Sequence, residues 1–181
     1  MEVTESGLKG VYLIKPRIFD DPRGFFLETY NRDRYKDHGI DVDFVQDNYA
    51  RSTRGVLRGM HYQIKRGQAK LVWVPEGEVF DVVVDLRKGS PTFGQWDGYR
   101  LSSTNKHQLF VPIGFAHGYC VTSETADFMY KCSDFYFPED EGGLAWDDPK
   151  VGIEWPVKDP ILSEKDQKHP SLEKAVLPVL G

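Results

Sequence analysis

The densest group of reactive side chains in this sequence is Arg54-Gly55-Val56-Leu57-Arg58-Gly59-Met60-His61-Tyr62-Gln63, with Lys70 opening the next apolar run. Histidine titrates near neutrality, so an imidazole here suits general base chemistry; a hydrogen-bonded structural histidine is the plainer alternative. Cations are unusual in strand-like sequence, and Arg58 and Lys70 flanking His61 favour a site. Arg58 and His61 are three residues apart, so strict alternation would place them on opposite faces. A shared site therefore requires a bulge, and Gly59 is the residue that tolerates one.

The elements that must hold these groups are strands. Short runs rich in Val, Tyr, Phe, Ile and Trp recur, cut by Gly, Pro, Asn and Asp, which is the pattern of an all-β chain. The spacing predicts strands over 11–19, 24–30, 43–51, 56–63, 69–74, 78–86, 96–102, 108–111, 117–121 and 125–136. One helix is expected over 31–38, capped by Asn31 and stopped by Gly39, and a second short one from Ser163. In the run 80–86, Phe80, Val82, Val84 and Leu86 share an apolar face, whereas Asp81 and Asp85 share a mixed one with Val79 and Val83. About ten strands with tight turns fit a jelly-roll barrel of two antiparallel sheets, with room for a small ligand between them. From Pro138 the sequence turns acidic and Pro-rich; 138–181 is too short for its own core and is expected to pack back on a single domain spanning 1–181.

Composition narrows the function. Lys+Arg 23 against Asp+Glu 28 leaves a net charge of -5, a poor basis for binding nucleic acid or an anionic membrane, though a local basic pocket for one phosphate ligand is compatible with it. Cys120 and Cys132 form no CxxC or Cys/His metal spacing, so neither a disulfide framework nor structural zinc is expected. The N-terminal residues lack the pattern of a signal peptide and no apolar run approaches the ~18 residues of a membrane span. A cytoplasmic protein is expected.

The motif Pro112-Ile113-Gly114-Phe115-Ala116-His117 resembles the second half of the cupin signature, in which a turn precedes an inward-pointing histidine. Metal-binding cupins carry His-x-His and a downstream Glu in the first half. Here Gln63 stands at the second histidine position, an amide in place of a stronger nitrogen donor, and no catalytic metal is expected. A more specific likeness comes from Gly55–Gln63, Asp85–Gly94 and Pro112–Gly118, joined in order by Asp21–Glu28, Gln46-Asp47-Asn48, Tyr130-Lys131, Trp146–Pro149 and Leu162–Asp166. Together these blocks, which cover nearly the whole chain, resemble the dTDP-4-dehydrorhamnose 3,5-epimerase family.

That resemblance implies a cupin jelly roll with short peripheral helices that works without a cofactor, as a homodimer, on a dTDP-linked 4-keto-6-deoxy sugar. A proton beside the ketone is removed, an enolate forms, and a proton returns on the opposite face. By similarity His61 is the base and Asp166 its orienting carboxylate. Tyr130 is the acid, with Tyr136 as an open alternative, and Lys70 meets charge on the ketone oxygen. His117 contacts the sugar. Arg23 and Arg58 suit the diphosphate, and Phe26, Glu28, Gln46, Asp47 and Asn48 the nucleoside, while Glu141 and Lys168 match positions near the nucleotide-sugar. Exchange of N-terminal strands in the dimer would carry Arg23, Phe26 and Glu28 to the partner's pocket. Alternatives are a single-position epimerase at C3 or C5, a metal-dependent cupin using His61 and His117, and a nucleotide-sugar binding module without turnover.

Overall fold

The computed structural model describes residues 1–180; Gly181, the last residue of the segment expected to pack back on the barrel, lies outside the described residues. In chain order the elements are β1 (Glu2–Glu5), β2 (Tyr12–Lys15), β3 (Ile18–Asp21), β4 (Gly24–Leu27), the helix α1 (Arg32–Asp37), β5 (Gln46–Thr53), β6 (Leu57–Gln63), β7 (Lys70–Glu76), β8 (Glu78–Asp85), β9 (Trp96–Ser102), β10 (Gln108–Val111), β11 (Phe115–Val121), β12 (Thr125–Cys132) and β13 (Glu141–Gly143). Two antiparallel sheets, ordered β1-β2-β10-β7-β12-β5 and β13-β6-β11-β8-β9, face one another as a jelly roll, and β3 and β4 form a separate hairpin. Among the described residues no helix is long and apolar enough to cross a membrane.

Most strands lie where alternation and punctuation place them, and the departures have local causes. The single strand expected over 11–19 is two, β2 and β3, separated at Pro16-Arg17, because proline offers no N–H to a ladder. β12 ends at Cys132, so Tyr136 stands beyond the strand rather than on it. The helix expected at Ser163 is only a 3-10 turn over Asp166–Lys168. In α1, Asn31 Oδ1 accepts the Arg34 N–H at 3.2 Å, as an N-cap should.

Among the described residues three apolar clusters form the core. Val72, Val79, Val83, Leu109, Phe115 and Phe128 pack between the sheets. Tyr35 of α1 and Ile40 cover Ile14, Leu71 and Phe110 on the outer face of the six-stranded sheet. Val82, Val84 and Leu86, the fully apolar face of β8, point away from the barrel interior and pack with Leu144, Val151, Trp155 and Leu172 from the C-terminal segment. The mixed face of β8 therefore looks into the barrel, and Asp81 with it. That face must remain partly polar because it floors a site.

The bulge expected at Gly59 is present. His117 pairs with His61 and Tyr119 with Arg58, so two residues of β6 oppose the single Gly118 of β11. Gly59 has φ 138° and joins Met60 through a cis peptide. A Cβ at position 59 would stand 2.6 Å from Gly118 Cα. Gly59→Ala is expected to destabilise the fold by more than about 1 kcal/mol, measured as a lowered urea midpoint; an unchanged midpoint would show that the bulge accommodates a side chain.

Candidate active site

The bulge turns Arg58 and His61 together into a cleft of about 680 Å³ that opens between the sheets, within the range that encloses small-molecule ligands. The five-stranded sheet supplies Arg58, His61 and His117. The facing sheet supplies Gln46, Asn48, Lys70 and Tyr130, and the C-terminal half adds Tyr136, Glu141 and Asp166. Acid–base groups thus stand on opposing walls, the arrangement needed if a carbon between them is to lose a proton on one face and regain it on the other.

Asp166 reaches His61 from far along the chain because the tail is pinned first. Leu57 N–H donates to Ile161 O at 3.0 Å and Ile161 N–H to Gly55 O at 2.8 Å, and the Ser163 hydroxyl oxygen accepts the Asp166 N–H at 3.1 Å. The result sets His61 Nε2 2.6 Å from Asp166 Oδ1, with the carboxylate side chain only 4% exposed. Burial opposes ionisation of Asp166, but the contacts of His169 and His61 outweigh it and hold the carboxyl far below the ordinary carboxylate range. An ionised carboxylate can only accept, so the geometry assigns the His61 proton to Nε2 and leaves Nδ1 with the free lone pair. Burial lowers the His61 pKa against the upward pull of Asp166, and the nearby Lys70 lowers it further.

A neutral imidazole is the form a base requires. Activity that depends on it is lost as pH falls through its pKa, and the lowered value extends activity to more acidic solutions than an ordinary histidine permits. The acid limb of kcat/KM is expected below the usual imidazole pKa; a limb at or above that value would contradict burial as the dominant influence.

Lys70 begins β7 beside the leaving end of β12, with Nζ 5.8 Å from the Tyr130 ring centre. Burial depresses its pKa, while Cys132, Asp81 and Glu141 act in the other direction. Burial likewise raises the Tyr130 phenol, and among the described residues no hydrogen bond engages its hydroxyl. The Tyr136 hydroxyl donates to Glu141 Oε2 at 2.6 Å, which pushes its pKa up to about 12. Glu141 Oε1 also accepts from Lys165 at 2.6 Å. Of these two candidate acids, Tyr130 is therefore the one whose phenol is not committed to a carboxylate.

His117 Nε2 lies 2.9 and 3.0 Å from the two oxygens of Asp81, both residues buried. Each cleft histidine thus sits on its own carboxylate. Gln63 does not replace a lost ligand: its Nε2 donates to Phe137 O at 2.8 Å and its Oε1 accepts the Phe137 N–H at 3.0 Å. Arg58 Nε donates to Ser52 Oγ at 3.0 Å, leaving the outer guanidinium nitrogens for a ligand. Gln46 Nε2 donates to Asn48 Oδ1 at 3.1 Å, a small polar shelf along β5.

Five of the expected site residues fall outside this cleft. Asp47 alternates to the other face of β5, where Lys131 Nζ lies 3.0 Å away, and is corrected to an outward residue. Lys168 projects into solvent near Glu164 at 4.0 Å and is likewise not a cleft residue. Arg23 binds Asp21 Oδ2 at 2.5 Å beside the β3–β4 hairpin, Phe26 is 69% exposed, and Glu28 accepts from Arg34 at 3.1 Å. None of these three lines the cleft of its own chain. Two residues escaped the sequence reading. Asp81 could have been found as a carboxylate inside a valine-rich strand; His169 carries no such signal in its polar surroundings.

A family model for dTDP-4-dehydrorhamnose 3,5-epimerase matches residues 5–174. The chain is 55% identical over 170 residues to the Pseudomonas aeruginosa dTDP-4-dehydrorhamnose 3,5-epimerase, covering 93% of this chain and 94% of that one. A Legionella pneumophila dTDP-6-deoxy-D-glucose-3,5-epimerase, solved in complex with dTDP-4-keto-L-rhamnose, superposes with a TM-score of 0.95 at 47% identity, covering 99% and 98% of the two chains. The Streptomyces niveus dTDP-4-dehydrorhamnose 3-epimerase is 42% identical over 169 residues, covering 92% of this chain and 82% of that one.

Proposed function

The chain belongs to the dTDP-4-dehydrorhamnose 3,5-epimerase family, and we propose that its cleft converts dTDP-4-dehydro-6-deoxy-D-glucose to dTDP-4-dehydro-β-L-rhamnose by two proton transfers at carbons flanking the ketone. The observation that carries this reading is the His61–Asp166 contact of 2.6 Å on one wall, faced by Lys70 and Tyr130 on the other.

His61 Nδ1 takes the carbon-bound proton, and Asp166 stabilises the imidazolium that results. The pair of electrons left on carbon delocalises onto the ketone oxygen, whose charge the Lys70 ammonium meets. Tyr130 returns a proton from the opposite wall. His117, steadied by Asp81, contacts the sugar; Arg58 holds diphosphate oxygens, and Gln46 and Asn48 serve the nucleoside. No cofactor takes part in these steps, which need only a base, an acid and a charge stabiliser.

The protein acts as a cytoplasmic homodimer in this reading. Support comes from the hairpin, where Phe19, Phe25 and Phe26 are exposed together, a surface that favours coverage by a second copy. Tyr30, which follows the hairpin, packs instead on Tyr35 and Phe44. Arg23, Phe26 and Glu28 then complete the partner's cleft.

Turnover in deuterated water tests the chemistry. The double epimerase is expected to place solvent deuterium at both C3 and C5 of the product. Label at one carbon only would select a single-position epimerase, as the Streptomyces niveus relative is named; binding of dTDP with no label at either would leave a binding module.

A further inference from the structure

We infer that His61, Asp166 and His169 form a binding site for a divalent zinc-class ion, occupied from the cleft, and that its occupancy silences His61. The three residues offer ligand atoms all within 4.8 Å of one another. His169 Nε2 is buried and has only an electrostatic contact with Asp166 Oδ1, 3.3 Å away, that does not meet hydrogen-bond geometry. A buried ring nitrogen without a partner is costly, and a metal bond is one way to satisfy it.

The spacing fits a tetrahedral ion. With ligand bonds of about 2.0–2.1 Å, neighbouring donor atoms around zinc lie about 3.3 Å apart and the centres of two bound imidazoles about 5 Å apart. The His169–Asp166 separation of 3.3 Å already has that value, and the His61 and His169 ring centres are 5.4 Å apart with planes at 80°. To admit the ion the His61–Asp166 hydrogen bond of 2.6 Å must open by less than an ångström, and the two imidazole nitrogens, within 4.8 Å of each other, must close to the same spacing. Two imidazoles and a carboxylate suit zinc, cobalt or nickel and not magnesium or calcium, which prefer oxygen ligands. The side chain of His61 is 28% exposed toward the cleft, giving an entry path and a fourth position for water.

Position 169 is built for this placement. His169 lies flat on Gly143, where an added Cβ would fall 2.0 Å from Nδ1, and Gly143 pairs with His61 across β13 and β6. The sheet register that holds His61 therefore also fixes the ring of His169.

Occupancy changes the tautomer of His61. The ion takes the Nε2 lone pair, so the ring proton moves to Nδ1 and no proton is gained or lost by the residue. Nδ1 then presents an N–H to the sugar in place of a lone pair. This silencing rests on the role proposed for His61, whereas the ion site does not.

The test uses metal-stripped full-length protein titrated with zinc by calorimetry and with cobalt by visible absorption, alongside deuterium exchange into the sugar. One equivalent is expected to bind with a tetrahedral cobalt spectrum, magnesium is not, and exchange is expected to stop with zinc and return with EDTA. His169→Gln should weaken zinc by more than about 100-fold, and His169→Cys, which keeps a zinc donor, should retain tight binding; dTDP binding by both variants reports that they are folded. Absence of zinc binding, or equal affinity in His169→Gln and the unaltered protein, would overturn the site. Zinc bound at this site with exchange unaffected would overturn the silencing, and with it the role of His61, while leaving the site in place.

Discussion

His61→Asn is expected to lower kcat by about 10²–10⁴-fold, the contribution of one well-placed base, with dTDP affinity close to that of the unaltered protein. Asparagine keeps a polar group against Asp166 but has no nitrogen able to accept a carbon-bound proton. Asp166→Asn should fall to a comparable rate for a different reason. An amide at position 166 can still hydrogen-bond His61, yet it permits the other imidazole tautomer and carries no charge to balance the imidazolium, a loss that reaches about 10⁴ in hydrolytic triads. The carboxylate is 4% exposed, so water has little room to substitute for it. Because both residues serve one proton transfer, the double variant should be little slower than the worse single one. Steady-state rates of the three variants check this, and multiplied rather than overlapping losses would show that the two side chains act separately.

Lys70→Met is expected to reduce kcat by about 10²–10³-fold, the usual consequence of removing one preorganised stabiliser of a developing oxyanion. Methionine preserves much of the stem's packing between β12 and β10, so the loss reports charge more than shape. Arginine should restore little, since its planar fork cannot occupy the space of a compact ammonium. Burial also lowers the Lys70 pKa, so the unaltered protein should lose activity in alkali sooner than an exposed lysine would dictate, and Lys70→Met should lack that limb. A kcat within a factor of two of the original would remove Lys70 from the mechanism.

Much of the fold was legible because each device has a local signature. Alternation in 78–86 marks β8, and three-residue spacing around Gly59 requires the bulge that lets Arg58 and His61 share a cleft. Asn31 and Gly39 bound α1 through capping chemistry. β1 and β13 were missed for the opposite reason: Glu2–Glu5 is largely polar and Glu141–Gly143 is two-thirds glycine, and tertiary pairing rather than propensity makes them strands.

The site divides along the same line. His61, Lys70 and Tyr130 stand on predicted strands, so their convergence follows once the barrel is granted. Asp166 and His169 arrive on an irregular tail whose path depends on Ile161 pairing beside Gly55 and Leu57, which no periodicity encodes; Asp166 was reached through family resemblance and His169 not at all. Asp47 lies between Gln46 and Asn48 on β5, and strand alternation turns its side chain to the other face, toward Lys131.

The central claim is that the His61 imidazole, seated on Asp166, removes protons from carbon without an ion's help. Deuterium uptake from solvent at C3 and C5, followed by NMR in chelator-treated buffer for the unaltered protein and for His61→Asn, tests it most directly. Full exchange is expected for the former, and at least about a hundredfold slower exchange at both carbons for the latter. Exchange abolished by the chelator, or undiminished in His61→Asn, would contradict it.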